Sequence, residues 1–141
     1  MWVPLALGAL LAALVVSTCS AGDIDNLSAI EQIGIDNRAQ AIQKYVASGS
    51  MNAVTISQSG AGNQVVTTQD GNGLSAQVEQ NGSDNRADIE QNGAGHTADI
   101  KQYGSSQTAD VVQHGLGKAT SITQDNIYGA TTGQTVTVRQ Y

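Results

Sequence analysis

Few residues of this 141-residue chain could carry chemistry: it holds one cysteine, Cys19, and two histidines, His96 and His114. Nucleophilic catalysis needs a hydroxyl or thiol beside a base that a third group orients, and neither histidine has a Ser or Cys arranged for it. Gly115-Leu116-Gly117-Lys118 resembles the end of a phosphate-binding loop. However, Val112 stands where the first glycine belongs, and Ala119 where a Ser or Thr would hold Mg²⁺. Asp88 and Asp110 lie twenty-two residues apart and, as shown below, would stack within about 5 Å. A Ca²⁺ ion asks for six to eight oxygens, and no further acids repeat that spacing. The sequence thus assigns no catalytic residue, no metal site and no cofactor. The two histidines and the Gly-Lys pair are expected to serve turns and strands.

What recurs is the carboxamide. Gln32, Gln43, Gln58, Gln69, Gln80, Gln91, Gln102, Gln113, Gln124 and Gln140 mark ten units, seven of the nine intervals being eleven residues. Two positions before each Gln stand mostly β-branched residues, such as Ile56, Val78, Ile89, Ile100 and Val111. Four before stand small or β-branched ones, such as Ser28, Val54, Ala76 and Ala87. Six before stand Asn26, Asn37, Asn52, Asn63 and Asn85, with Leu74, His96, Gln107, Lys118 and Gln134 in the remaining units. Two after stand the glycines Gly34, Gly60, Gly71, Gly82, Gly93, Gly104 and Gly115.

These offsets fix the elements that must carry them. Alternate residues of a strand share a face, so Asn, Ala, Ile and Gln at even offsets point one way. Polar residues such as Arg86, Asp88 and Glu90 point the other. Each unit predicts a half-buried strand of about seven residues. Four-residue turns such as Asn81-Gly82-Ser83-Asp84 follow, their glycine allowing a backbone that a side chain would obstruct. Gly49, out of that register, and Tyr45 and Asn126, in the glycine slot, mark the two longer connections. Two strands and two turns make a twenty-two-residue coil. Stacking the coils predicts an all-β fold, a parallel β-solenoid of five two-strand coils over residues 26–141. Inside it each Asn or Gln is expected to bond the amide above and below, because a lone buried amide costs free energy that a continuous stack recovers. Glu79 and Lys101, one coil apart, are expected to pair on the outside.

Composition agrees. Residues 3–16, VPLALGALLAALVV, form an uncharged apolar run followed by small residues, which reads as a secretory signal over 1–21 with cleavage near Ala21; a lipoprotein reading would instead acylate Cys19. A short segment, 22–25, then precedes the repeats. The processed chain would have no cysteine, Phe or Trp, and all twelve acidic and six basic residues, a net charge of −6. Disulfides and a large-side-chain core are excluded, and nucleic acid is not expected as a partner.

The unit Gln80-Asn81-Gly82-Ser83-Asp84-Asn85-Arg86-Ala87-Asp88-Ile89-Glu90-Gln91 resembles the curlin repeat of bacterial curli subunits. The resemblance covers essentially residues 26–141. It implies a cross-β functional amyloid of the biofilm matrix with roles in cell adhesion and aggregation, in extracellular fibres at the cell surface. Its implied partners are other copies of itself, a second curlin subunit and the outer-membrane curli secretion machinery. Two features depart from the family. Only Gly22 to Asp25 separate the signal from the first repeat, where curli subunits carry a Gly-rich segment, and the slot that often holds Ser has Asn26, Asn52, Leu74, His96 and Lys118. Leu74 and Lys118 are not expected to join an amide ladder.

A solenoid leaves its first and last strands, 26–32 and 134–140, with unpaired backbone groups. No capping helix and no terminal proline is evident there. The expected consequence is head-to-tail polymerisation into a fibre. Two alternatives stay open: a minor subunit that nucleates growth at the surface, and a monomeric solenoid that presents a binding face. The closing Gln140-Tyr141 resembles the major subunit, whereas the run IKQYGSSQTADVVQ resembles the nucleator.

Overall fold

The structure, a computed structural model, describes residues 11–20, 25–44, 50–126 and 133–141. The proposed cleavage point and the extra residues of the two long connections, with Tyr45, Gly49 and Tyr128, lie outside the described residues. Every element among the described residues is a strand: β1 Leu11–Ser20, β2 Asp25–Ile35, β3 Arg38–Lys44, β4 Ala53–Ala61, β5 Gln64–Asn72, β6 Ser75–Ser83, β7 Arg86–Ala94, β8 Thr97–Ser105, β9 Thr108–Leu116, β10 Ala119–Asp125 and β11 Thr135–Gln140.

From β2 onward the strands alternate between two parallel sheets. One runs β2-β4-β6-β8-β10 and the other β3-β5-β7-β9-β11. Every recurrent Gln stands beside the next of its sheet, as Gln58↔Gln80↔Gln102 and Gln69↔Gln91↔Gln113. This is the parallel β-solenoid expected from the repeat. The inward positions interlock between the sheets: Val54, Ile56, Val65, Val78, Ile89, Ile100 and Val111 are each at most 1% exposed, with Ala76, Ala87, Ala98 and Ala109 packed among them. Small residues four before each Gln let β-branched ones from the facing sheet reach the midline, so no aromatic is needed to fill it.

Three expectations require correction. The central strands are nine residues long rather than seven, and run through the turn glycine, so only Asp84 and Asn85 separate β6 from β7. The reason is that a corner, like a strand, stacks on its neighbour: the Asp84 amide donates to the Ala61 carbonyl at 2.9 Å, and Ser106 to Ser83 at 3.0 Å. Second, each end of the stack presents a pair of strands, β2 with β3 and β10 with β11, because both sheets terminate in the same coil. Third, the β2 edge is covered: β1 lies antiparallel along it, from Leu11↔Gly34 to Ser20↔Asp25.

Candidate functional site: the amide ladders and the faces that end them

The inward glutamines form two columns. In the first, Gln32 Nε2 donates to Gln58 Oε1 at 2.6 Å, Gln58 to Gln80 at 2.9 Å, Gln80 to Gln102 at 2.8 Å and Gln102 to Gln124 at 2.8 Å. In the second, Gln43 donates to Gln69 at 3.0 Å, Gln69 to Gln91 and Gln91 to Gln113 at 2.9 Å, and Gln113 to Gln140 at 3.0 Å. The second amide hydrogen crosses to the other sheet: Gln80 Nε2 also donates to the Gln64 carbonyl at 3.1 Å, and Gln91 to that of Ser75 at 3.0 Å. Each column therefore runs along the axis and also ties the two sheets together, a cross-link that strand patterning did not disclose.

The slot six before each Gln works differently from the side-chain ladder expected of it. Here the side chain bonds to backbone. Asn63 Oδ1 accepts from the Asn85 amide at 3.2 Å and Asn85 Oδ1 from the Gln107 amide at 3.1 Å. Their Nδ2 groups donate to corner carbonyls, Asn63 to Gly82 and Asn85 to Gly104, both at 3.0 Å. Asn26 and Asn37 serve in the same way, accepting from the Asn52 and Asn63 amides. This geometry explains the irregular residues. Buried Leu74 needs only its own N–H satisfied, and Asn52 Oδ1 does so at 3.0 Å. His96 imitates asparagine: Nδ1 accepts from the Lys118 amide at 3.1 Å, and Nε2 reaches the Asn92 carbonyl at 3.1 Å. Accepting at Nδ1 leaves the proton on Nε2. Half-buried Lys118 is held through its backbone: its N–H donates to His96 Nδ1 and its carbonyl accepts from the Thr97 amide at 2.8 Å.

The corner glycines are required twice over. Gly82 and Gly93 have φ of 138° and 133°, and a Cβ on either would overlap the carbonyl oxygen of the glycine one coil on, Gly104 and Gly115 respectively. Gly34, Gly60 and Gly71 meet the same obstacle, and at Gly104 it is the Asn126 side chain. Gly115 faces nothing within 4 Å. Sequence reading missed a second special position, four after the seven Gln that precede a four-residue connection, where Asp36, Asp84 and Ser106 take φ of 56°, 56° and 57° and Gly62, Gly73, Gly95 and Gly117 take 63° to 69°. The signal was present in the restriction of that position, in the seven short connections, to Gly, Asp or Ser, which tolerate the left-handed region or bond locally.

On the outside, Asp88 and Asp110 are in register. Arg86 reaches Asp88 at 3.5 Å, and Arg139 reaches Asp110 at 3.9 Å. Burial raises the Asp88 carboxyl above its ordinary value; the Arg86 charge opposes this, while Asp110 and Glu90 add to it. The expected Glu79–Lys101 pair is replaced. Lys101 turns to Asp99 at 3.9 Å, and Glu79 instead hydrogen-bonds Tyr103, whose phenol is held above its usual range first by burial and then by Glu79. An adjacent donor of fixed position takes the carboxylate from a flexible ammonium that has another acid at hand. His114 stacks on Tyr141 with ring centroids 5.7 Å apart and lies 3.8 Å from Glu90. Among the described residues no group of three or more His, Cys, Asp or Glu is placed to hold a metal.

All eight glutamine bonds run from Nε2 toward the C-terminal coil. The two faces of the stack therefore differ: among the described residues the Oε1 atoms of Gln32 and Gln43 receive no side-chain donor, whereas Gln140 has an Nε2 with no further glutamine to meet.

This geometry defines a class, the parallel β-solenoids whose interior is tied by continuous amide columns. The curlin associated repeat matches residues 49–82 and 82–115. Over residues 49–115 the chain is thus similar to the curlin family. Neither the curated proteins nor the solved structures contain a match to it.

Proposed function

We propose that the chain is a structural subunit of extracellular curli-like fibres and polymerises by stacking β10 and β11 of one copy on β2 and β3 of the next. One observation carries this reading: among the described residues the second Gln column ends in complementary groups, a spare hydrogen on Gln140 Nε2 at one face and Gln43 Oε1 at the other, in the register that already joins every internal coil. Continuing the stack repeats a contact that the molecule makes eight times internally, which supports a polar, head-to-tail, non-closing assembly. The closing Gln140-Tyr141 supports the major subunit over the nucleator. Export through an outer-membrane secretion system, after removal of residues 1–21, belongs to the same reading.

Fibre diffraction from the assembled, processed chain is expected to give reflections near 4.7 and 10 Å. A monomer that persists at high concentration overturns the reading. Seeding separates the two subunit roles. A major subunit dominates the mass of detergent-resistant fibres around producing cells, and a nucleator at trace level starts a partner that otherwise fails to polymerise.

A further inference from the structure

The face of the stack that carries β2 is occupied by the chain itself. Leu11–Ser20 pairs with β2 over ten positions in antiparallel sense, while every pairing from β2 to β11 is parallel. This edge is the one a second copy would need. A parallel stack continues only if β10 of one copy meets β2 of the next while β11 meets β3, and a strand already bonded along β2 leaves it no free donors or acceptors.

Coil 1 is also unlike the others on its outside. Its outward positions hold Leu27, Ile33, Ile35 and Ile42, between 38% and 54% exposed. Their register partners one coil on are Ala53, Ser59, Ala61 and Thr68. β2 thus carries apolar residues on both faces. The antiparallel register pairs Leu27, Ala29 and Ile33 with Thr18, Val16 and Ala12. Inward Ser28 and Ile30 stand opposite Ser17 and Val15. A strand apolar on both faces suits such an edge, and Leu11-Ala12-Ala13-Leu14-Val15-Val16 is one by composition. By contrast β10, Ala119-Thr120-Ser121-Ile122-Thr123-Gln124-Asp125, offers polar residues outward.

We propose that the β2 edge with its outward apolar row is a docking edge for an extended apolar strand running antiparallel. Its occupant is the chain's own Leu11–Ser20, which closes this face to a second copy for as long as it stays attached. The consequence for growth rests on the polymerisation reading above. A copy that retains the segment still has a free β10–β11 face, so it adds to the fibre end that exposes β2 and β3 and then presents β1. It terminates that end and cannot add to the other.

The test uses three chains: 1–141, the processed 22–141, and 1–141 with Val15→Pro and Val16→Pro together. Neighbouring residues of a strand direct their N–H groups to opposite sides, so one of the two prolines removes a donor facing β2 whichever way the ladder is phased. Immobilised 22–141 fibres are fed labelled 22–141, with a small molar fraction of each full-length chain. With 1–141, one end is expected to stop and the other to continue; with the double-proline chain, both ends continue. Independently, amide hydrogen exchange across residues 26–34 is expected to be at least about tenfold slower in 1–141 than in the other two chains. Growth at both ends unchanged by 1–141, or equal exchange of β2 in all three chains, overturns the proposal. If 22–141 forms no fibres the polymerisation reading fails, and the exchange comparison still decides the docking edge.

Discussion

Replacing Gln80 by leucine tests the ladder most directly. Gln80 is 1% exposed; it accepts from Gln58, donates to Gln102 and donates across to the Gln64 carbonyl. Leucine fills similar space but makes none of these bonds. It leaves one hydrogen of Gln58 Nε2 and the Oε1 of Gln102 without partners inside the stack, at about 1–3 kcal/mol each. The Gln64 carbonyl keeps its second lone pair and adds less. Burying the more apolar leucine returns about 1–2 kcal/mol, so the net loss is about 3 kcal/mol, a large part of a stability of about 5–15 kcal/mol. Gln32→Leu provides the contrast. Gln32 is only half-buried and, among the described residues, has one side-chain bond, to Gln58, so the same substitution costs the isolated chain about 1 kcal/mol. In a fibre Gln32 becomes an interior member of the column, and its replacement then approaches the Gln80 cost. The assay is guanidinium resistance, measured on monomer trapped by dilution and on assembled fibres. Gln80→Leu is expected to lower both midpoints, and Gln32→Leu chiefly the fibre midpoint. Midpoints for Gln80→Leu equal to wild type would refute the claim that the amides hold the stack, and a Gln32 effect confined to the monomer would refute the head-to-tail register.

Gly93→Ala and Gly115→Ala share the turn position but not the space. The first meets a carbonyl oxygen and is expected to abolish the fold, whereas the second carries only the strain of φ 100°, so circular dichroism should show strand content for Gly115→Ala alone. Thr67 is fully buried with an unpartnered Oγ1, and Thr67→Val is expected to stabilise by about 1–2 kcal/mol, read as a higher guanidinium midpoint. Asp88 has a raised folded value, so its contribution to stability is complete below the ordinary 3.8 and is lost as pH rises through that raised value. Assembly is therefore expected to be faster at mildly acidic pH than at 7. Asp110→Asn, which removes one cause of the rise, should speed assembly at pH 7, and equal rates would remove the idea.

Much of this was legible because the side-chain period of a strand and the coil period coincide. Eleven residues bring Gln80 to Gln91 on the facing sheet, and twenty-two bring it to Gln102, so the fold followed from counting. The Asn slot was misread because counting cannot tell whether an amide's partner is another side chain or a peptide. A shorter side chain reaches only the backbone beside it, which is why Asn63 bonds Gly82 and Asn85 while Gln69 reaches Gln91. Strand length was underestimated because glycine and a left-handed residue normally end a strand, but a corner stacked on an equal corner keeps its ladder. Asp99 took Lys101 from Glu79 because three side chains within reach compete by geometry, and spacing names only the candidates. The strand β1 was hidden since an apolar run before small residues carries no sign of which edge it would meet.

The distribution of polar groups inside the stack explains why this chain is rich in amides and poor in aromatics. A carboxamide has the same donor and acceptor as a peptide group, so a column of glutamines behaves as an additional ladder placed where no strand runs. Inward hydroxyls are less regular: among the described residues Ser28 Oγ and Thr67 Oγ1 find no partner, whereas Thr120 Oγ1 accepts from Gln113 and donates to Gln140. Asn126 extends the point to the corner where the glycine stack stops. Its Oδ1 accepts from the Ser105 amide at 2.9 Å and its Nδ2 donates to the Ser105 carbonyl at 2.7 Å, so a side chain stands in for the corner peptide of a further coil. The amides thus extend a peptide stack along the axis, tie its two sheets together and finish it at a corner. At the β10–β11 face, and at the β2–β3 face once β1 is removed, unpaired peptide and amide groups remain, and the partner that fits them best is another peptide stack.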